Sequence, residues 1–164
     1  MNMRKSIRGG IFRAGTGSAM EYIVSAKKVG ATADGRYAFS PYGSSFSPSP
    51  ECKTKGVLSC IKSFTKYDLS DIINGGPLTL EIHDTVFRNN DGIKKVAKLV
   101  KCFIDRGGHQ LQLNSVNRDV LINAQKNPED YKNLIVRVWG WSGYFTELAK
   151  EYQDHIIKRT EFTI

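Results

Sequence analysis

Leu134-Ile135-Val136-Arg137-Val138-Trp139-Gly140-Trp141-Ser142-Gly143-Tyr144-Phe145 sets one glycine, Gly140, between two tryptophans at the end of an apolar run. The run Leu134 to Val138 predicts a strand, and 139–143 predicts a turn. Downstream, 147–158 predicts a closing helix, with Leu148, Tyr152 and Ile156 four apart on one face. Upstream, a helix through 120–126 stops before Pro128, 109–113 reads as a short strand, and a helix over 93–106 ends at Gly107-Gly108. Leu78, Leu80 and Ile82 alternate with Thr79, Glu81 and His83, a strand pattern with one apolar and one polar face. Asn74-Gly75-Gly76-Pro77 breaks the chain before it. Residues 57–67 predict a helix or mixed segment, and 19–26 a short helix that Ser18 caps. Between them, 30–56 is rich in Gly, Ser and Pro, with a tight turn at Ala33-Asp34-Gly35-Arg36 and irregular backbone at Ser47-Pro48-Ser49-Pro50. A loop of that length is functional or is held by a neighbour.

Strands separated by helices define an α/β class with parallel units. About three strands are visible, too few to close a barrel, and a parallel sheet wants both faces covered. The chain is therefore expected to complete a larger sheet and, alone, to expose an unpaired edge. Its 164 residues suffice for one compact core, and 40% hydrophobic with 24% charged residues is the balance of a soluble globular domain. No apolar run approaches the ~20 residues that cross a bilayer. The basic start, 1–10, leads into no apolar h-region, so the cytoplasm is the expected compartment, with no membrane partner.

Cys52, Cys60 and Cys102 form no C-x-x-C pair, and His83, His109 and His155 show no metal-ligand spacing with them, so neither a disulfide framework nor a metal site is expected. The net charge of +8 raises nucleic-acid binding. Lys94, Lys95, Lys98 and Lys101, however, share a helix with Ile93, Val96, Ala97, Val100, Phe103 and Ile104 at helical spacing, and read as its solvated face. The aromatics are not interleaved with basic residues as a stacking platform requires, so no nucleic-acid partner is expected.

Taken alone, Trp-Gly-Trp is explained by a turn glycine, for which positive φ is free. The wider pattern adds more. The 134–145 segment, followed by Gln153-Asp154 and Ile156-Ile157-Lys158-Arg159-Thr160, resembles the C-terminal signature of glycyl radical enzymes. Arg13-Ala14-Gly15-Thr16-Gly17-Ser18-Ala19-Met20, Gly30-Ala31-Thr32-Ala33-Asp34-Gly35-Arg36, Ile73-Asn74-Gly75-Gly76-Pro77-Leu78-Thr79 and Gly107-Gly108-His109-Gln110-Leu111-Gln112-Leu113-Asn114 resemble successive family segments in order. The resemblance thus spans nearly the whole chain. Trp139 and Trp141 depart from the commonest family pattern, a small residue before the glycine and a tyrosine after it. Together with Ala19-Met20-Glu21-Tyr22 and Ser63-Phe64-Thr65-Lys66-Tyr67-Asp68, they resemble the arylacetate decarboxylase branch, which includes 4-hydroxyphenylacetate decarboxylase. Dehydratase and formate acetyltransferase relatives stay open.

The resemblance implies a C-terminal fragment of the glycyl radical enzyme barrel. Residues 1–133 would be the C-terminal part of the barrel domain, truncated at its N-terminus, and 134–164 the glycine-radical loop and closing helix. No cofactor would be bound; a separate radical-SAM activating enzyme would install a radical on Gly140. The reaction would be that of a lyase, decarboxylase-like, relying on a thiyl radical from a cysteine on the remainder of the enzyme, since none of the three cysteines here stands in a Gly-Cys-x-Glu-like context. Arg137, Val138, Trp139, Trp141 and Ser142 would be activase-recognition or loop residues, with Arg137 alternatively pairing with a carboxylate. Gly140 and Gly143 would give hinge freedom, while burial of Trp139 and Trp141 favours the closed loop. Glu81, His83, Gln110 and Gln112, with Thr79 and Asn114, would line the barrel lumen or form a hydrogen-bonded network bracing the loop. A split or truncated reading frame beginning at Met1 is one expectation. Two others are a spare part like the autonomous glycyl radical cofactor proteins, and a non-catalytic remnant or basic binding module.

Overall fold

The computed structural model describes residues 4–16, 20–50, 52, 54–138, 140–159 and 161–162. The chain runs α1 (Glu21–Val24), α2 (Val57–Phe64), β1 (Leu78–Ile82), α3 (Asn90–Asp105), β2 (Leu111–Ser115), α4 (Arg118–Lys126), β3 (Ile135–Arg137), β4 (Ser142–Tyr144), α5 (Lys150–Ile157) and β5 (Glu161–Phe162). β1 is the central strand of a parallel sheet ordered β2-β1-β5. It matches Leu78 to Leu111 through Ile82 to Ser115 on one side, and Glu81 to Glu161 and Ile82 to Phe162 on the other. Its alternation places Leu78, Leu80 and Ile82 in the main core with α2, α3 and Phe162. Thr79 and Glu81, on the opposite face, are buried as well, as both faces of a central parallel strand must be.

The predicted strand at 134–138 does not join this sheet. β3 pairs with β4 in an antiparallel hairpin, and the third parallel strand is β5. A chain that reverses between Arg137 and Ser142 pairs with its own continuation, whereas a parallel partner needs a long crossover. Ser142 and Gly143, predicted as turn, already belong to β4. The hairpin sits on a second core of Leu121, Ala124, Val136, Val138, Phe145 and Ile156, so α4 and α5 are its floor. The closing helix is shorter than predicted: a 3-10 turn at Phe145–Glu147 precedes α5, and Leu148 lies outside it. Ser18, predicted to cap the first helix, lies outside the described residues.

α3 buries Gly92, Val96, Leu99 and Phe103, while Ile93 and Ile104 are 49% and 63% exposed, a rotation from the predicted face. The cause is Gly92, capped by Asn89 Oδ1 at 2.8 Å, where an added methyl would run into the Val86 carbonyl oxygen. That close approach turns the Gly92 edge of the helix inward. Lys94, Lys95, Lys98 and Lys101 lie on the exposed face, and two of them pair one turn away, Lys95 with Asp91 and Lys101 with Asp105. Gly92→Ala reverses the usual gain of alanine in a helix: we expect a loss of about 1–3 kcal/mol by overpacking, read as a lower urea midpoint with an unchanged m-value.

The first part of the long 30–56 segment is held from within, and its later part is tied to β1, with the Phe46 amide donating to the Pro77 carbonyl and the Thr79 amide to Ser47 Oγ. Arg36, 3% exposed, donates to the carbonyls of Gly30, Tyr37 and Ser40 and lies 4.7 Å over the Tyr42 ring. A buried guanidinium whose two terminal nitrogens bind three backbone carbonyls orders a loop that has no regular structure of its own.

Candidate functional site

The Val138 amide donates to the Trp141 carbonyl at 3.0 Å, closing the β3-β4 hairpin at its tip, where Gly140 stands. Gly140 has φ +65°, is exposed, and an added Cβ would meet nothing within 4 Å. Trp139 lies outside the described residues. The inward positions Val136 and Val138 are 2% and 1% exposed, and each such burial contributes roughly 1.5–3 kcal/mol to seating the hairpin. Trp141 is half-buried against the same core, and its ring covers Gly143, where a Cβ would lie 2.7 Å from Cζ3. On the outward face, Arg137 and Ser142 stand opposite one another and Arg137 Nη1 donates to Ser142 Oγ at 3.3 Å. Arg137 makes no carboxylate ion pair among the described residues.

Two side chains from the α5 region grip the hairpin by its backbone. Arg159 Nη1 donates to the Arg137 carbonyl at 3.0 Å and Nη2 to the Val138 carbonyl at 2.5 Å, on the strand that enters the turn. Gln153 Nε2 donates to the carbonyls of Phe145 at 3.1 Å and Leu148 at 2.9 Å, just past the exit. Arg159 is in turn fixed by Glu81 on β1, with Nη1 3.0 Å from Oε1 and both side chains about nine-tenths buried. Glu81 Oε1 also accepts from Asn114 Nδ2, and Asn114 Oδ1 accepts from Gln112 Nε2, each at 3.0 Å. The line Gln112–Asn114–Glu81–Arg159 therefore runs from the polar face of the sheet to the residue before the turn. Such a network is rigid because every bond in it depends on the next.

His83 and Gln110 do not enter this line. His83 lies beyond β1 and caps a 3-10 turn, with Nδ1 3.2 Å from an Asp84 oxygen, and Gln110 is exposed beside Gly75. Behind Arg159 is a cavity of about 40 Å³ lined by Ser44, Ser47, Thr79, Glu81 and His155 among others. His155 is 5% exposed, packs 4.8 Å from the Tyr22 ring, and has no ring-nitrogen hydrogen-bond partner among the described residues. Burial first, then the positive charge of Arg159, push its pKa down to about 4, so it is neutral at physiological pH.

Cys60 is packed in the main core, and burial pushes its thiol pKa up; Cys52 is exposed and Cys102 half-buried. No group of three His, Cys, Asp or Glu able to hold a metal occurs among the described residues, and no helix there is long and apolar enough to cross a membrane.

Arg159, Gln153 and His155 were not predicted as site residues. Their signal in the sequence is the one-turn spacing of His155 and Arg159, which sets them on a common face beside the Tyr152–Ile156 stripe.

The glycine radical family matches residues 42–146, most of the chain and the whole hairpin. The chain belongs to the glycine radical family. As a glycine radical domain it is 37% identical to trans-4-hydroxy-L-proline dehydratase of Clostridioides difficile over 98% of its own length and 20% of that enzyme's. It is 35% identical to the 4-hydroxyphenylacetate decarboxylase glycyl radical subunit of the same species, over 80% of this chain and 15% of that one. Among solved structures, the B12-independent glycerol dehydratase of Clostridium butyricum superposes with a TM-score of 0.93 at 33% identity, covering 99% of this chain and 21% of that one. The chain thus spans about a fifth of the length of the relatives it matches. Its mixed helix and strand architecture is the C-terminal glycyl radical enzyme fold expected from sequence. The decarboxylase branch is not singled out: dehydratases stand beside decarboxylases among the relatives.

Proposed function

We propose that Gly140 stores a glycine-centred radical for a lyase reaction completed by the remainder of a glycyl radical enzyme. The observation that carries this reading is the hairpin tip: a glycine at φ +65° with open space in its Cβ direction, flanked on both sides by backbone carbonyls that Arg159 and Gln153 bind. The radical-SAM activating enzyme supplies a 5′-deoxyadenosyl radical, which takes one hydrogen atom from Cα and leaves as 5′-deoxyadenosine. The unpaired electron on Cα is shared with the flanking amide nitrogen and carbonyl, a delocalisation that needs a planar centre, which a Cβ would hinder. The stored radical then accepts a hydrogen atom from a cysteine thiol on the remainder of the enzyme, leaving a thiyl radical, and returns that atom to sulfur at the end of turnover, which restores the radical on Cα. Arg137, Val138, Trp139, Trp141 and Ser142 present the tip, with Arg137 and Ser142 on its exposed face suited to a partner's polar groups. In this scheme 1–133 belongs to the barrel and 134–164 to the radical loop and closing helix, with Glu81 and Gln112 bracing the loop and His83 and Gln110 toward the lumen. The cytoplasm, reducing and anaerobic, is the compartment such a radical requires.

Trp139-Gly140-Trp141 supports an arylacetate decarboxylase, whereas the relative matched over 98% of the chain is a hydroxyproline dehydratase. Both are lyases. The chain is incubated anaerobically with activating enzyme, S-adenosylmethionine and reductant, with and without a parent enzyme truncated before the radical segment. Electron paramagnetic resonance is expected to show a doublet from one α-hydrogen coupling. Restored turnover of 4-hydroxyphenylacetate or of trans-4-hydroxyproline then identifies the branch; no doublet under conditions that activate a full-length relative rejects the radical.

A further inference from the structure

We infer that Arg159 is a positioning residue, a latch held by Glu81 whose release sets how readily the glycine hairpin leaves its seat. The inference rests on the radical reading of Gly140, since a loop activated by a separate enzyme has to be exposed to it and then return.

The geometry distinguishes this arginine from a structural ion pair. Of the oxygens it binds, one belongs to the sheet (Glu81) and two to the moving element (the carbonyls of Arg137 and Val138), at 3.0, 3.0 and 2.5 Å. The Val138 carbonyl is two residues before Gly140, on the residue whose amide closes the turn. The hairpin cannot lift from its floor on α4 and α5 without breaking both carbonyl bonds, yet the Arg159–Glu81 pair can outlast that movement. The cation is then still compensated when the hairpin is out, so the open state carries no unpaired buried charge. A planar five-donor fork is what binding three oxygens at once requires; an ammonium in the same place keeps the charge but loses the fork. Apolar burial of Val136 and Val138 seats the hairpin nonspecifically, and the latch adds the directional part.

The test is hydrogen–deuterium exchange on the full 164-residue chain, in wild type, Arg159→Lys, Arg159→Gln and Glu81→Gln. Exchange of the 134–145 peptide is expected to accelerate about tenfold in Arg159→Lys, the equivalent of one charge-assisted bond. The effect should be larger in Arg159→Gln and in the same direction in Glu81→Gln, with the 78–82 peptide unchanged. Unaltered hairpin exchange overturns the latch, and so does equal acceleration of 78–82, which would make Arg159 a general stability residue. A second readout separates gating from damage. With activating enzyme present, Arg159→Lys should gain its doublet about tenfold faster and lose it faster on air exposure by a similar factor. A slower gain with a faster loss overturns the latch. If wild type gives no doublet while the exchange pattern holds, the radical reading fails and the latch stands; a normal doublet with unaltered exchange means the reverse.

Discussion

In Gly140→Ala the proposed glycine-centred doublet is expected to be absent under conditions that would produce it in wild type, while the folded chain is expected to persist. The two halves of this result have different causes. Stability is little affected because the added methyl meets nothing within 4 Å. Its cost is the left-handed backbone, φ +65°, which is roughly 1–2 kcal/mol for an L residue, or a melting point lower by roughly 2–8 °C at this chain length. The radical would be lost because the Cβ direction points into open space, the side open to a hydrogen-abstracting group. A side chain there screens the remaining α-hydrogen and opposes planarity at the centre. The measurement is paired: the doublet by electron paramagnetic resonance and the melting curve by circular dichroism on the same preparation. A doublet in Gly140→Ala would reduce Gly140 to a turn residue. Loss of the melting transition together with the doublet would mean that the substitution acted through the fold.

Acidification from pH 7 to pH 5 is expected to remove about 2 kcal/mol of stability, with about 3 kcal/mol gone near pH 4, through one residue. His155 has an ordinary pKa of 6.5 when unfolded and about 4 when folded. Below 6.5 the unfolded chain therefore takes up a proton that the folded chain refuses. Stability is complete above about 6.5 and falls progressively until pH 4. The causes are local: desolvation among Tyr22 and the walls of the small cavity, then repulsion from Arg159 one turn away. The lowered carboxylates Asp34, Asp68, Asp84 and Asp154 act in the same direction, but from a starting value of 3.8, so the interval above pH 5 belongs to the histidine. Urea unfolding of wild type and His155→Phe at pH 7, 6 and 5 checks this. The aromatic replacement keeps the packing on Tyr22 and should flatten the dependence over that interval. An equal slope in both proteins would place the proton elsewhere.

Much of the site's local form was legible in the sequence. An apolar run ending in a glycine gives a strand and a turn through bonds between near neighbours, and the Val138–Trp141 closure is such a bond. Strict alternation at Leu78, Leu80 and Ile82 marked the central strand, because a side-chain period of two survives in the sequence whatever the strand pairs with. Asn117 accepting from the Asp119 amide at 2.9 Å is local in the same way. The resemblance, carried by segments in order along the chain, supplied the family.

The tertiary structure decided what depends on distant partners. That Glu81 faces Arg159 rather than solvent is a contact across 78 positions, and no periodicity encodes it. That β5 is the third parallel strand depends on α5 returning the chain to β1, while the more apolar 134–138 run folds back on itself. The inward edge of α3 was set by the Val86 carbonyl meeting Gly92, so exposed Ile93 and Ile104 looked, by spacing alone, like core. His155 reads as an ordinary polar position until Tyr22, from the other end of the chain, closes over it. Sequence determines hydrogen bonds and periodicities within a few residues, which fixed the strands, the turn and Gly140 at its tip. Desolvation and charge pairing, which hold that tip down and keep His155 neutral, exist only once separate segments exclude water together.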